Sequence, residues 1–145
     1  LGKIFVVGTI SKEAQYLIDV TKQAFFEGIK YATKNNRLGD ISHAIGQYVQ
    51  DNGLDVIREF EGHGIGREMH EDPGIPNYGK AGRGIRLEPG MTLAIEPMVV
   101  AGDRDICQGD DGWSIWTVDG SLSAHYENTI LITDGEPEIL SLRKI

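Results

Sequence analysis

The sequence predicts an α+β domain, two helices packed on an antiparallel sheet. Three observations carry that expectation. Two consecutive segments near the start have apolar residues at helical spacing, whereas the second half alternates in short β-prone runs. Gly and Pro punctuation is concentrated between those halves, from Gly62 to Gly90. The element order, β-α-α-β followed by several strands, places helices and strands in separate layers rather than in βαβ repeats.

The first segment, LGKIFVVGTI, is β-prone from its first residue, and a strand that begins there predicts a chain cut from something longer. Ser11 is placed to cap a helix whose apolar positions are Ala14, Leu17, Ile18, Ala24, Phe25, Ile29 and Ala32. Asp40 is placed to cap a second, with Ile41, Ala44, Ile45, Tyr48 and Val49 on its apolar face and Asn52-Gly53 as its stop. LDVIREF reads as a strand, and residues 62–90 as a long loop with short extended pieces. Strands are expected over TLAIEPMVV, WSIWTV and AHYENTILIT, with Asp119-Gly120 as a hairpin turn between the last two. PEILSL adds a short final strand.

The 145 residues are the length of one domain, and 40% hydrophobic content supplies a core. No apolar run is long enough for a transmembrane helix, so no membrane role is expected. The formal net charge of −8 argues against a nucleic-acid partner, whose phosphates call for clustered Lys and Arg. Cys107 stands alone and forms no internal disulfide, which fits a reducing, cytoplasmic setting.

Chemistry-bearing residues stand out by their neighbours. Glu96, in LAIEPM, is flanked by apolar residues and shares its expected strand face with Ala94 and Met98. Glu127, in AHYENTILI, shares a face with His125, Thr129 and Leu131. A charged, buried and unpaired glutamate costs several kcal/mol, so either these faces are wet or both residues have a cationic partner. A glutamate on the solvent face of an antiparallel sheet is the commoner arrangement for one such residue. Two of them, together with His63 held between Gly62 and Gly64, form an acceptable donor set for a divalent ion such as Mn, Fe, Co or Zn.

His70 reads either as a solvated loop histidine or as a second imidazole able to hydrogen-bond a substrate carbonyl. Gly62 and Gly64 are expected to let the backbone turn tightly so that His63 projects into the site. His43 reads as helix surface, and His125 as a strand neighbour of the site with no assigned role. Trp113 and Met69 are by themselves packing residues. HEDPG lacks the second His of a zincin, and GHGIG lacks the Lys-Ser/Thr of a phosphate loop.

Taken together, GHGIGREMHEDPGIPNYG, LEPGMTLAIEPMV, DGWSIWT and SAHYENTILIT resemble the type I methionine aminopeptidases of the pita-bread fold. Prolidases and aminopeptidase P proteins share the Gly-His-Gly and Glu-Pro elements, whereas the Tyr-Glu of SAHYENT resembles the methionine enzymes. The resemblance implies removal of the initiator methionine from nascent polypeptides, by a water that two divalent ions activate. It implies that His63 and Glu96 bind one ion, that Glu96 also helps move the water's proton, and that Glu127 bridges both ions. His70 would contact the scissile carbonyl or the intermediate, and Trp113 with Met69 would border the methionine pocket.

The match departs from the family in one respect. Two aspartates and a histidine of the family's first half have no counterpart here, so residues 1–145 resemble the second pseudo-symmetric half as a single catalytic-type domain. The expected partner is the missing first half. Glu96 and Glu127 supply two negative charges against the four positive charges of two divalent ions. The expectation for the chain alone is therefore one weakly held ion and little hydrolysis. An alternative on the same fold is a peptidase directed to Xaa-Pro bonds, and a further one is a binding module without catalysis.

Overall fold

The computed structural model describes residues 2–142. Helix α1 spans Lys12–Ile29 and α2 spans Leu38–Asp51. Ser11 caps α1 as expected, its hydroxyl accepting from the Ala14 N–H at 3.1 Å. At α2 the cap position is Arg37, not Asp40. Asp40 lies one turn in, where its carboxylate accepts from the Arg37 N–H at 2.7 Å and from the Gly82 N–H at 2.7 Å. The correction has a simple cause: an acidic side chain in the first turn satisfies open N–H groups from inside the helix as well as from its cap. Gly53, at φ 74°, follows α2 as the sequence predicts.

The helices cover two sheets rather than one. The larger has five strands in the order β10-β9-β4-β2-β3, and the smaller has three in the order β1-β5-β8. Their ranges are β1 Asp55–Val56, β2 Gly62–Gly64, β3 Glu71–Ile75, β4 Thr92–Ile95, β5 Met98–Val100, β8 Ser123–His125, β9 Asn128–Leu131 and β10 Glu138–Ile139. The remaining two, β6 Ile106–Gln108 and β7 Ile115–Thr117, form a separate ribbon. All pairings are antiparallel. Phe25 of α1 is fully buried and meets the Phe26 and Tyr126 rings edge-on, with centroids 5.1 and 5.4 Å away, so helix and sheet close on an aromatic cluster.

Several expected strands are revised. TLAIEPMVV is not one strand but β4 and β5, which belong to different sheets; AHYENTILIT likewise divides into β8 and β9. Pro97 explains the first break, since it has no N–H to continue a ladder. The pairs Ile95↔Asn128 and Met98↔His125 bracket the switch, so both chains leave one sheet and enter the other across the same two-residue gap. Asp119-Gly120 does form a turn, with Gly120 at φ 75°, but it joins strands of different sheets, because β7 pairs with β6. The opening segment carries no ladder over residues 2–10 and exposes Ile4, Phe5, Val6 and Val7; Leu1 lies outside the described residues. It is tied to the sheets where the Glu127 N–H donates to the Gly2 carbonyl at 2.9 Å.

The turn of the β6–β7 ribbon presents Trp113. Asp111 accepts from the Trp113 and Ser114 N–H groups at 2.9 and 2.8 Å and from the Ser114 hydroxyl at 2.6 Å. The Ser114 hydroxyl, followed by these amides, lowers the exposed Asp111 carboxyl from 3.8 to about 2. A depressed carboxylate stabilises the fold above its ordinary value and loses that contribution as pH falls through its folded value. The Trp113 and Ser114 amide resonances are therefore expected to hold steady from neutral pH to about 4 and to shift with a midpoint of about 2, whereas Asp111→Asn removes that transition.

Candidate metal centre

The sheet switch creates the site. Glu96 occupies the gap between β4 and β5, and Glu127 the matching gap between β8 and β9. Neither glutamate is mid-strand, so the strand-face assignments made from alternation do not hold. A residue between two sheets is free of the alternation that would bury it or turn it to solvent. Strand β2 lies against β4 with His63 opposite Ala94, which brings the imidazole alongside both carboxylates. One ligand atom from each of His63, Glu96 and Glu127 lies within 4.8 Å of the others.

The protonation of His63 follows from its neighbours. Its Nδ1 is 2.8 Å from the Gly64 carbonyl, which accepts but does not donate, so Nδ1 carries a proton. Neutral imidazole then has its lone pair on Nε2, and Nε2 faces Glu96 Oε1 at 3.2 Å. Two electron-pair donors at that distance call for a cation between them: a proton that charges the ring, or a metal ion. A histidine whose far nitrogen donates to a backbone carbonyl is the usual form of a metal-ligating histidine. The borderline-to-hard set of one imidazole and two carboxylates suits a divalent ion.

His70 meets the His63 ring with centroids 4.2 Å apart. The two imidazoles line a cleft of ≈ 530 Å³ together with Glu61, Gly62, Glu71, Asp72 and Gly74. Met69 and Trp113 are 74% and 89% exposed, and neither is among the residues lining that cleft. His43 is not free helix surface: its Nδ1 lies 2.9 Å from the Gly79 carbonyl. His125, given no role from sequence, has its Nε2 3.3 Å from Glu96 Oε2 and 3.9 Å from Glu127 Oε2. The signal that could have placed it is register, since Met98 opposite His125 puts the ring at the edge of the switch.

The glycines around His63 act differently from the tight turn expected. Both lie within β2, and neither has a positive φ. A Cβ on Gly62 would run into the Ala94 carbonyl oxygen of β4, and one on Gly64 into the Asp72 carbonyl oxygen of β3. They allow the neighbouring strands to close on His63 from both sides. Gly62→Ala is expected to cost about 1–3 kcal/mol in urea denaturation, the range for overpacking a close contact.

This architecture places a donor set able to hold a metal ion at the junction of two sheets, and comparison with known proteins shows that the fold is that of a peptidase family. Residues 1–134 match the model of metallopeptidase family M24, and the chain belongs to that family. The methionine aminopeptidase of Clostridium perfringens is 56% identical over 143 residues, covering 99% of this chain and 57% of that protein. The crystal structure of methionine aminopeptidase from Thermotoga maritima superposes with a TM-score of 0.93 at 49% identity, covering 96% of this chain and 56% of that one. The prolidase of Pyrococcus horikoshii shares the fold, with a TM-score of 0.74 at 20% identity, over 98% of this chain and 35% of its own. The fold is thus the α+β pita-bread fold, and the chain spans a little over half the length of the curated methionine aminopeptidases it matches. Among the described residues no helix is long and apolar enough to cross a membrane.

Proposed function

We propose that this chain carries the ligand-bearing part of a methionyl aminopeptidase, which hydrolyses the first peptide bond of nascent polypeptides that begin with methionine. The observation that carries this reading is the convergence of His63, Glu96 and Glu127 donor atoms within 4.8 Å at the sheet switch. These three residues hold the metal, with two ions of Co, Mn, Fe or Zn in the complete enzyme. A bound divalent ion supplies Lewis acidity, lowering the pKa of a water and polarising the scissile carbonyl. Glu96, beside the unprotonated His63 nitrogen, accepts the proton that the attacking water releases. His70, on the open side of the His63 ring, donates to the substrate carbonyl oxygen as negative charge develops there. Trp113 and Met69 present exposed apolar surface that a methionine side chain can cover.

Two carboxylates do not neutralise two divalent ions, so the chain by itself is assigned one weakly held ion. A second ion needs further donors, and a first half of the fold that supplies them is the proposed partner. A cytoplasmic setting, where new polypeptides emerge, completes the reading. The 56% and 49% identities to methionine aminopeptidases favour methionine over Xaa-Pro substrates, because the prolidase likeness at 20% supports the fold alone.

The test is methionine release from Met-Ala-Ser with added Mn(II) or Co(II), compared with cleavage of an Xaa-Pro peptide. The chain is assayed alone and mixed with the unmatched segment of a relative. Release of methionine by the mixture, abolished by His63→Ala, is the expected result. Xaa-Pro cleavage in its place, or turnover insensitive to His63→Ala, overturns the assignment.

A further inference from the structure

The position of Glu96 is not set by the sheet ladder. Its carbonyl lies in the gap between β4 and β5, and the following Pro97 offers no N–H. That carbonyl instead accepts a hydrogen bond from Asn77 Nδ2 at 3.0 Å. A carbonyl oxygen only accepts, so the orientation of the Asn77 amide is fixed: nitrogen toward Glu96, oxygen away. Asn77 is 1% exposed, and its Oδ1 is buried with no hydrogen-bond partner among the described residues. An unsatisfied buried acceptor costs free energy, so a side chain chosen for packing alone would be apolar here. What the amide provides at this place is its donor.

The segment that carries Asn77 is fixed from behind. A Cβ at Gly46 of α2 would lie 2.9 Å from the Asn77 carbonyl oxygen and 3.2 Å from the Tyr78 Cα, so the absence of a side chain there lets the helix press on this segment. The His43 ring, one turn earlier on α2, reaches the Gly79 carbonyl at 2.9 Å. The Arg58 guanidinium lies 4.5 Å above the Tyr78 ring. Residues 77–79 are thereby seated on α2 and present one donor to the sheet switch.

We propose that Asn77 is a positioning residue for Glu96, transmitting the fixed geometry of α2 through Gly46 to the carboxylate that faces His63. The proposal rests on the metal-centre reading above for its functional meaning, but its geometry stands independently of any bound ion. Loss of the donor frees the Glu96 backbone between two sheets, and the carboxylate drifts from His63 Nε2.

The experiment uses the 145-residue chain with Asn77→Leu, similar in size but without a donor, and Asn77→Ser as a smaller alternative should the first not fold. Ile132→Ala serves as a control: Ile132 is fully buried, five residues along the chain from Glu127, and its loss reports core damage alone. Two quantities are read. One is the Co(II) dissociation constant by competition with a chromophoric chelator, and the other is the ¹⁵N shift of His63 Nε2 without metal. The Asn77 variants are expected to weaken Co(II) binding about tenfold or more, the range for changes just outside a ligand shell, and to move the His63 resonance. Ile132→Ala is expected to lower the melting temperature and leave both readouts in place. Unchanged affinity and an unchanged His63 shift in the Asn77 variants overturn the proposal. If the unsubstituted chain takes up no Co(II), the metal reading of this chain fails, and the His63 shift alone decides whether Asn77 positions Glu96.

Discussion

Substitution of Glu96 by glutamine is expected to weaken divalent-ion binding more than about 100-fold without destabilising the metal-free chain. Changes just outside a ligand shell already cost about 10–100-fold, so loss of a charged side chain proposed as a ligand costs more. The stability argument has the opposite sign. Glu96 and Glu127 bring ligand oxygens within 4.8 Å of each other, and like charges at that separation repel even with His125 Nε2 3.3 and 3.9 Å from the two carboxylates. Removing one charge relieves that repulsion. Ligand linkage makes the contrast measurable: an ion at 100 times its dissociation constant adds about 2.7 kcal/mol to unfolding, and at a concentration equal to its dissociation constant about 0.4 kcal/mol. The unsubstituted chain should therefore gain stability with added Mn(II) or Co(II), and Glu96→Gln should gain almost none. A proton bridging His63 and Glu96 makes the other forecast. Glutamine then breaks an ion pair, and the metal-free chain loses stability while the added ion changes little in either protein. Denaturation with and without metal distinguishes the two.

What the sequence made legible follows from which forces are local. Both helices were legible because a helix is specified by residues three and four positions apart, and Leu17, Phe25, Ile41, Ile45 and Val49 keep that spacing. Glu96 and Glu127 were legible as chemistry because a lone acid among apolar neighbours is costly anywhere in a core. Their actual setting was not. The Pro97 break has a local signal, but Tyr126-Glu127 has none, and alternation reads straight through it. Glu127 leaves the sheet because its partner strand does, which is a non-local cause. The same limit applies to the opening segment, whose β-prone residues form no ladder among those described, since strand propensity is realised only against a partner. The β6 strand was missed because it pairs in a two-stranded ribbon without a buried face to set a pattern. Asn77 was invisible for a different reason: in IPNYG it is an ordinary turn residue, and only the three-dimensional structure brings it to the Glu96 carbonyl.

Phe25→Ala is expected to cost about 3–5 kcal/mol of stability, the range for emptying a fully buried aromatic site. Phe25 has no exposed surface and packs edge-on against Phe26 and Tyr126, with ring centroids 5.1 and 5.4 Å away. Alanine leaves a cavity between α1 and the sheets that the surrounding backbone fills only in part. The consequence reaches the proposed metal centre through Tyr126, which precedes Glu127. Burial raises the Tyr126 phenol above its ordinary pKa, and its oxygen accepts from Asn128 Nδ2 at 2.9 Å, while Asn128 Oδ1 accepts from the Ser141 hydroxyl at 2.9 Å. Residues 126 and 128 are thus anchored on either side of Glu127, one by ring packing and both by hydrogen bonds. Removing the Phe25 ring loosens one anchor and leaves the other. Urea denaturation should then show the full stability loss, and metal titration of the still-folded protein a smaller weakening than that of Glu96→Gln. A Phe25→Leu variant, which refills most of the volume, should recover much of the stability and nearly all of the affinity. Equal loss of affinity in Phe25→Ala and Phe25→Leu would break the link from the aromatic cluster to Glu127.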